Sequence, residues 1–260
     1  MTALAKGFMN TVKDSTYPPL GRSGNLEVRL ADPCEVEAAQ ALRHRVFRGA
    51  AGLDSDRFDV ACDHLIVVDG TAVVATYRLL PQDRAGDVGG FYTGSEFAVE
   101  DLVSRYPGLR FLELGRSCVA QTHRTKRVME LLWHGTWAYV LRGGFDVLMG
   151  CASFPGTDAR RHDPALGYLR RHARAEAGWR VRAAPGRGIA LPRSVDNERA
   201  ALRALPPLLR GYLRLGAEIG EEAVIDADFG TTDVLVLLRR ARISQRWIDH
   251  YGAGAERYAT

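Results

Sequence analysis

Lysine is nearly missing from this chain: Lys6, Lys13 and Lys126 stand against thirty-two arginines, so the net charge of +4 rests almost wholly on guanidinium groups. Cysteine is sparse as well. Cys34, Cys62, Cys118 and Cys151 lie far apart, with no CxxC and no histidine at ligand spacing. That excludes a disulfide scaffold and a structural zinc site, and it fits reduced thiols in a cytoplasmic setting. No run of 18 apolar residues occurs and the N-terminus lacks the apolar segment of a signal peptide, so neither membrane spanning nor secretion is expected. Attachment to a membrane surface stays open. A Walker A loop, a dinucleotide-binding GxGxxG and an HExxH motif are all absent.

What remains is a chain of 260 residues, 46% hydrophobic and 25% charged, long enough to bury a core and outside the compositions of disordered or coiled-coil proteins. Residues 1–24 carry Pro18-Pro19, Gly21 and Gly24 and read as a flexible N-terminal arm. Residues 25–240 read as one domain, and 241–260 as a C-terminal helix and tail.

A strand is predicted over 26–30, followed by a helix start at Asp32-Pro33-Cys34-Glu35, which has an acceptor at the N-cap, Pro at N1 and Glu at N3. Val36, Ala39, Leu42 and Val46 give that helix one apolar face. Strands at 65–68 and 72–80 flank Asp69-Gly70, a dipeptide suited to the positive φ angles of a tight hairpin. A Gly-rich stretch, 82–94, leads through a polar helix to an apolar strand at 110–119 that carries Glu113 and Arg116. A helix over 126–141, a continuous apolar strand at 145–151, an Arg-rich helical region at 158–175 interrupted by Pro164, a helix at 206–215 and strands at 224–226 and 234–238 complete the pattern. The order specifies an α/β, or α+β, mixed and twisted sheet with helices on both faces. The unit from 111 to 151 should be a right-handed crossover.

Three groups of residues suggest chemistry. In the loop Gln121-Thr122-His123-Arg124-Thr125-Lys126-Arg127, cations crowd the N-terminus of a helix, where they oppose the helix dipole unless an anion such as a phosphate sits among them. Glu113 alternates with Leu112 and Leu114 on a buried strand and needs a partner, with Arg78 and Arg116 as candidates and Asp56 and Asp59 adding acid upstream. Such a group is either a structural ion-pair network or a site that recognises a zwitterion and removes a proton from an amine. Between 160 and 187, eight arginines face only Asp163 and Glu176, a charge of +6. Tyr168 and Trp179 are too few aromatics for a nucleic-acid surface, so no nucleic acid is expected, and an acidic protein or anionic lipid suits the patch better. His64 and Asp69 match an HxxxxD pattern by coincidence, because five residues of extended strand point them to opposite faces. Cys118 has no His–Asp pair to activate it as a nucleophile. The Gly-rich 86–94 segment reads as a lid or a mobile loop.

The order of elements, with a carboxylate on the fourth strand followed by a basic loop and helix, resembles the GNAT acyltransferase superfamily. Leu42-Arg43, Val46-Phe47, Asp56, Asp59, Tyr77-Arg78-Leu79-Leu80 and Glu113 with Arg116 resemble its acyl-homoserine lactone synthase branch. Arg124-Thr125-Lys126-Arg127 through Glu130-Leu131-Leu132-Trp133-His134-Gly135 resembles the bacterial ornithine N-acyltransferases, as do the blocks at 205–217 and 226–234. The resemblance implies transfer of a 3-hydroxy fatty acyl group from acyl carrier protein, through its phosphopantetheine arm, to the α-amine of L-ornithine, with no metal and no permanently bound cofactor. It implies Glu113 as base with Arg116 beside it, and Arg43, Phe47, Asp56, Asp59 and Arg78 around the amino acid. It also implies an oxyanion contact near Cys118-Val119 and donor contacts from Arg124, Thr125, Lys126 and Arg127. The rivals are a lactone synthase, an acyltransferase for another amino acid, and a non-catalytic module that binds carrier protein or membrane.

Overall fold

The computed structural model describes residues 17–245 together with Trp247 and Ile248. In chain order the elements are β1 (Gly21–Ser23), β2 (Leu26–Leu30), α1 (Val36–Arg48), β3 (Asp63–Asp69), β4 (Ala72–Pro81), α2 (Gln82–Ala85), α3 (Val99–Arg105) and β5 (Phe111–Val119). They continue with α4 (Lys126–Gly143), β6 (Val147–Pro155), α5 (Asp163–His172), β7 (Ile189–Ala190), α6 (Glu198–Ala204), α7 (Pro207–Arg214), β8 (Glu218–Asp226) and β9 (Thr231–Arg239). The strands form one mixed sheet in the order β1-β2-β3-β4-β5-β6-β9-β8-β7.

Period-2 alternation along β3 sorts the two faces. Leu65 and Val67 join Val28, Val128, Leu131 and Val140 in the large core under α4, whereas Ile66 and Val68 pack with Ala31 and Ala39 on the side of α1. Helices therefore cover both faces. Helix α4 starts where Thr125 accepts a hydrogen bond from the Val128 N–H at 3.3 Å and stops at Gly144, whose φ of 64° suits a residue without a Cβ. It lies close on the sheet at Gly135, where a Cβ would come within 2.4 Å of Val28.

Several expectations shift. β1 lies inside the predicted arm and pairs with β2, because Gly24 at φ 58° closes a turn there. The rest of that arm (1–16), and most of the predicted C-terminal helix and tail, lie outside the described residues. In the β3–β4 hairpin Asp69 pairs with Ala72, so the loop is Gly70-Thr71 and Gly70 alone takes a positive φ, 60°. Pro164 begins α5 instead of interrupting a helix, since its missing N–H falls in the first turn. Between the Arg-rich region and the helix predicted at 206–215 lies α6, which no pattern announced, started by Asn197, whose side chain accepts from the Ala200 N–H.

One feature of the sheet sets the site. β5 and β6 run parallel on either side of α4, paired only at Phe111–Val147, Leu112–Leu148 and Glu113–Met149, and then separate. β6 continues with β9 through Pro155, while β5 continues with β4 through Val119. At the fork Gly150 lies so near β5 that a Cβ would meet the Leu114 carbonyl oxygen at 2.2 Å. Gly150→Ala is therefore expected to destabilise the protein by about 1–3 kcal/mol through overpacking against backbone. Gly115→Ala, with nothing within 4 Å of the added carbon, is expected to change stability by less than about 1 kcal/mol. Urea denaturation of the two variants checks the contrast.

Candidate active site

A cavity of about 380 Å³ opens at the fork. Its floor is β5 from Glu113 to Ser117 and β6 from Cys151 to Ser153; Phe47 of α1, Tyr77 and Arg78 of β4, and Tyr92-Thr93 wall one side. Tyr212 of α7 and Asp226, Phe229 and Asp233 of the β8–β9 hairpin wall the other. The Tyr77 and Tyr212 hydroxyls hydrogen-bond across it, tying α7 to β4.

Glu113 sits at the last paired position of the fork and is buried. Its carboxylate accepts from the Tyr92 N–H at 2.9 Å, the Thr93 N–H at 2.6 Å and the Thr93 hydroxyl. Burial raises its pKa, against the opposing pull of those Thr93 and Tyr92 bonds and of nearby Arg78. The same bonds anchor the 86–94 segment expected to be a lid or a mobile loop: it follows α2 as short 3-10 turns, and the Tyr92–Ser95 turn is held by Glu113. Arg116 owes its position to a bulge. Between Thr76–Cys118 and Arg78–Gly115, the two residues Arg116 and Ser117 oppose Tyr77 alone, and Arg116 takes φ 54°. Its guanidinium lies 4.5 Å from the Tyr92 ring centroid and 4.4 Å from that of Phe229.

The remaining charges on the α1 side form a closed network behind the cavity. Arg43, 0% exposed, pairs with Asp54 and Asp59 at 2.9 Å each. Arg78 pairs with Asp56 at 2.7 Å, and Arg116 reaches Asp54 at 3.2 Å and Asp56 at 3.4 Å. Burial alone would raise the Asp59 carboxyl, but Arg43, the Asp56 N–H and Arg78 hold it below its ordinary value. Of the residues expected around the amino acid, Phe47 and Arg78 line the cavity, whereas Arg43, Asp56 and Asp59 do not. Those three serve the ion-pair network, which was the other reading of this cluster.

Cys118 and Val119 likewise fall outside the lining. Cys118 is buried against β4, opposite Thr76, and burial pushes its thiol up to about 12. The oxyanion expectation therefore lies beyond the bulge, too far along β5. In the basic loop, Arg124 donates to the Val119 carbonyl at 3.4 Å, Arg127 donates to Ser23 at 2.8 Å, and Thr125 is the N-cap of α4. Lys126 is the open cation, its side chain 88% exposed beside Glu130 at 3.6 Å. Four of the eight arginines of the 160–187 patch pair with acids outside it: Arg171 with Glu198, Arg174 and Arg180 with Glu221, and Arg182 with Glu222. Those three glutamates offset half of the excess counted along the chain, while Glu176 turns to Arg239 and Arg242.

Residues not singled out in the sequence complete the site. Glu96, 2% exposed, accepts from the Cys151 thiol at 3.3 Å. One oxygen each from Glu96 and Asp233 and the sulfur of Cys151 lie within 4.8 Å of one another. Burial, followed by repulsion from Asp233, pushes Glu96 up to about 7. Burial raises Asp233 too, and it pushes the Cys151 thiol well above its ordinary range, so that group stays a protonated donor. The cavity lining thus holds two arginines, Arg78 and Arg116, and, besides Glu113, two acids, Asp226 and Asp233, while Glu96 lies outside the lining, bonded to the lining residue Cys151. The acidic run at 226–233 held the only sequence signal for these two acids.

The geometry has parallels among known proteins. Residues 40–134 match the family model described as acetyltransferase (GNAT) domain. L-ornithine N(alpha)-acyltransferase of Rhizobium meliloti (strain 1021) is 48% identical, the match covering 93% of this chain and 89% of that protein. The protein of the same name from Brucella abortus (strain 2308) is 47% identical, covering 92% and 93%. Among solved structures, an N-acyl amino acid synthase from uncultured soil microbes shares the fold with a TM-score of 0.53 at 12% identity, covering 86% of this chain and 97% of that one.

Two outcomes follow from the charges. Arg43→Met strands Asp54 and Asp59 without their buried partner and is expected to lose about 3–5 kcal/mol of stability. Lys126→Ala, at an exposed pair, should lose less than about 1 kcal/mol. Equilibrium unfolding in urea measures both. For Glu96, the folded protein holds a proton that the unfolded chain releases near 4.5. The stability this group contributes is thus fully present below pH 4.5 and lost as pH rises through about 7. Glu96→Gln should therefore gain on the wild type across that window, by on the order of 2 kcal/mol at pH 8, and paired unfolding curves at pH 5 and pH 8 test it.

Proposed function

The chain belongs to the L-ornithine N(alpha)-acyltransferases of the GNAT superfamily, and from that premise we propose that it transfers a 3-hydroxy fatty acyl group from acyl carrier protein to the α-amine of L-ornithine. The observation that carries the reading is the fork cavity, whose lining holds the buried Glu113 carboxylate together with Arg78 and Arg116 where β5 leaves β6. The donor's phosphopantetheine arm lies along the edge of β5 that β6 no longer pairs, with its thioester near Glu113. Its phosphate rests at the start of α4, where backbone N–H groups and exposed Lys126 favour an anion.

In the reaction the α-amine loses a proton and attacks the thioester carbonyl; the C–N bond forms, the C–S bond breaks, and the pantetheine sulfur leaves as a thiol. Glu113 is the base, kept basic by burial and aimed by its bonds to Tyr92 and Thr93. The oxyanion contact moves to the bulged stretch of β5 from Leu114 to Ser117, which lines the cavity. Arg116 or Arg78 holds the α-carboxylate through charge-assisted hydrogen bonds. The acyl chain runs from the thioester towards the small apolar pocket formed by Leu148, Met149, Val236 and Leu238, which shares Leu114 and Tyr212 with the main cavity. The product is an amphiphile, so the protein works at the inner face of the membrane as a peripheral visitor. No helix among the described residues is long and apolar enough to cross one.

Mass spectrometry of the protein incubated with 3-hydroxyacyl carrier protein and equal ornithine, lysine, glutamine and glycine tests the reading. N-acyl-ornithine should dominate; a different N-acyl amino acid removes ornithine, and no product with any acceptor removes the reaction. Glu113→Gln is expected to lower kcat by about 10²–10⁴-fold and to abolish the acidic limb of the rate profile, the rise with pH that deprotonation of the base produces. A folded variant with full turnover refutes the base assignment.

A further inference from the structure

Every acid of the network behind α1 has an arginine at ion-pair distance, whereas Asp233 feels Arg116 and Glu96 feels Arg187 only from further off. Among the described residues no ion pair joins Glu96, Asp226 or Asp233 to a cation of the protein. Asp226 is occupied as a turn cap, its Oδ1 accepting from the Asp228 N–H at 2.9 Å and the Phe229 N–H at 3.0 Å. Asp233 is different. It is only 4% exposed, it lines the cavity, and its Oδ1 finds no hydrogen-bond donor among the described residues. Thr231, on the same face of β9, and Ser153 of β6 line the cavity beside it, and their hydroxyls pull the Asp233 carboxyl against the rise that burial causes. A buried carboxylate oxygen without a donor is expensive to maintain, and a second carboxylate within 4.8 Å adds repulsion. Both are relieved by a ligand that carries a positive charge and several N–H donors.

Resting on the reading of this cavity as the acylation site, we propose that Asp233, with the Thr231 hydroxyl beside it and Glu96 as its buried neighbour, forms the subsite for the side-chain ammonium of the acceptor and selects a diamino acid over a neutral one. The ammonium donates to Asp233 Oδ1 and the Thr231 hydroxyl oxygen, and its charge offsets the repulsion between Asp233 and Glu96. A thiolate-seeking metal suits the group less well, because Cys151 spends its proton on Glu96 at 3.3 Å. The acceptor then spans the cavity with its carboxylate at the arginines and its far amine at Asp233, leaving the α-amine between them.

Norvaline keeps the carbon chain of ornithine and lacks only the ammonium, so the ratio of kcat/KM for the two amino acids reads the subsite directly. The wild type should prefer ornithine by on the order of 100-fold or more. Asp233→Asn should raise KM for ornithine by about 10- to 100-fold with a smaller change in kcat, collapsing the preference; Glu96→Gln, as a second variant, should weaken it in the same direction. An unaltered ratio in both folded variants overturns the subsite while leaving the acylation reading intact. Calorimetric titration of the donor-free protein with each amino acid separates the two claims. Ornithine binding that is tighter than norvaline binding and is lost in Asp233→Asn supports the subsite even without product, and equal binding of the two by the wild type overturns it.

Discussion

The separation of β5 from β6 is the constraint on which the rest of the molecule depends. Three residue pairs hold the strands together, and beyond Glu113 each turns to a different partner. A parallel pair that parts leaves a wedge between two strands of one sheet, with backbone on both sides and the core beneath. Gly150 allows the strands to come close enough at the crotch, and the Arg116–Ser117 bulge turns β5 away from it. The cavity is thus a consequence of sheet topology, and the side chains that line it need only be of the right kind.

Around that wedge the charges divide by function. On the α1 side, three arginines and three aspartates lie within ion-pair distance of one another in a buried network whose outer members, Arg78 and Arg116, reach the cavity wall. The inner member, Arg43, is fully enclosed and contributes rigidity. On the β8–β9 side no ion pair to Glu96, Asp226 or Asp233 is found among the described residues, and Glu96 is held near 7 by burial and by Asp233. Asp226 and Asp233 line the cavity, and the two-ended acceptor site proposed above rests on that contrast. The arginine bias of the whole chain has a structural explanation in part, since many of its guanidiniums bind carboxylates or backbone carbonyls across long stretches of sequence, as Arg174 does with Glu221 and Arg187 with Ile225.

The sheet, the α4 helix and the Glu113 strand were legible because each rests on local rules: alternation, an N-cap threonine, a terminal glycine. Glu113, Arg116, Arg78 and Phe47 could be placed at the site for the same reason, since each lies on an element whose face the pattern defines. Glu96 and Asp233 could not. Glu96 sits in a short turn with no periodicity, and it meets Cys151 and Asp233, 55 and 137 positions away, only through the sheet order. The charge of the 160–187 patch was overcounted for the converse reason: three of its counter-charges, Glu198, Glu221 and Glu222, are distant in sequence and adjacent in space. The positive φ of Arg116 had no glycine to announce it.

The central claim is that one wedge receives both reactants. A crystal structure with ornithine and a thioether analogue of the acylated pantetheine arm, which cannot transfer its chain, addresses it most directly. The account predicts the sulfur between β5 and β6 next to Glu113, the α-carboxylate at Arg116 or Arg78, and the far amine at Asp233. Donor or amino acid bound anywhere outside the fork would contradict it.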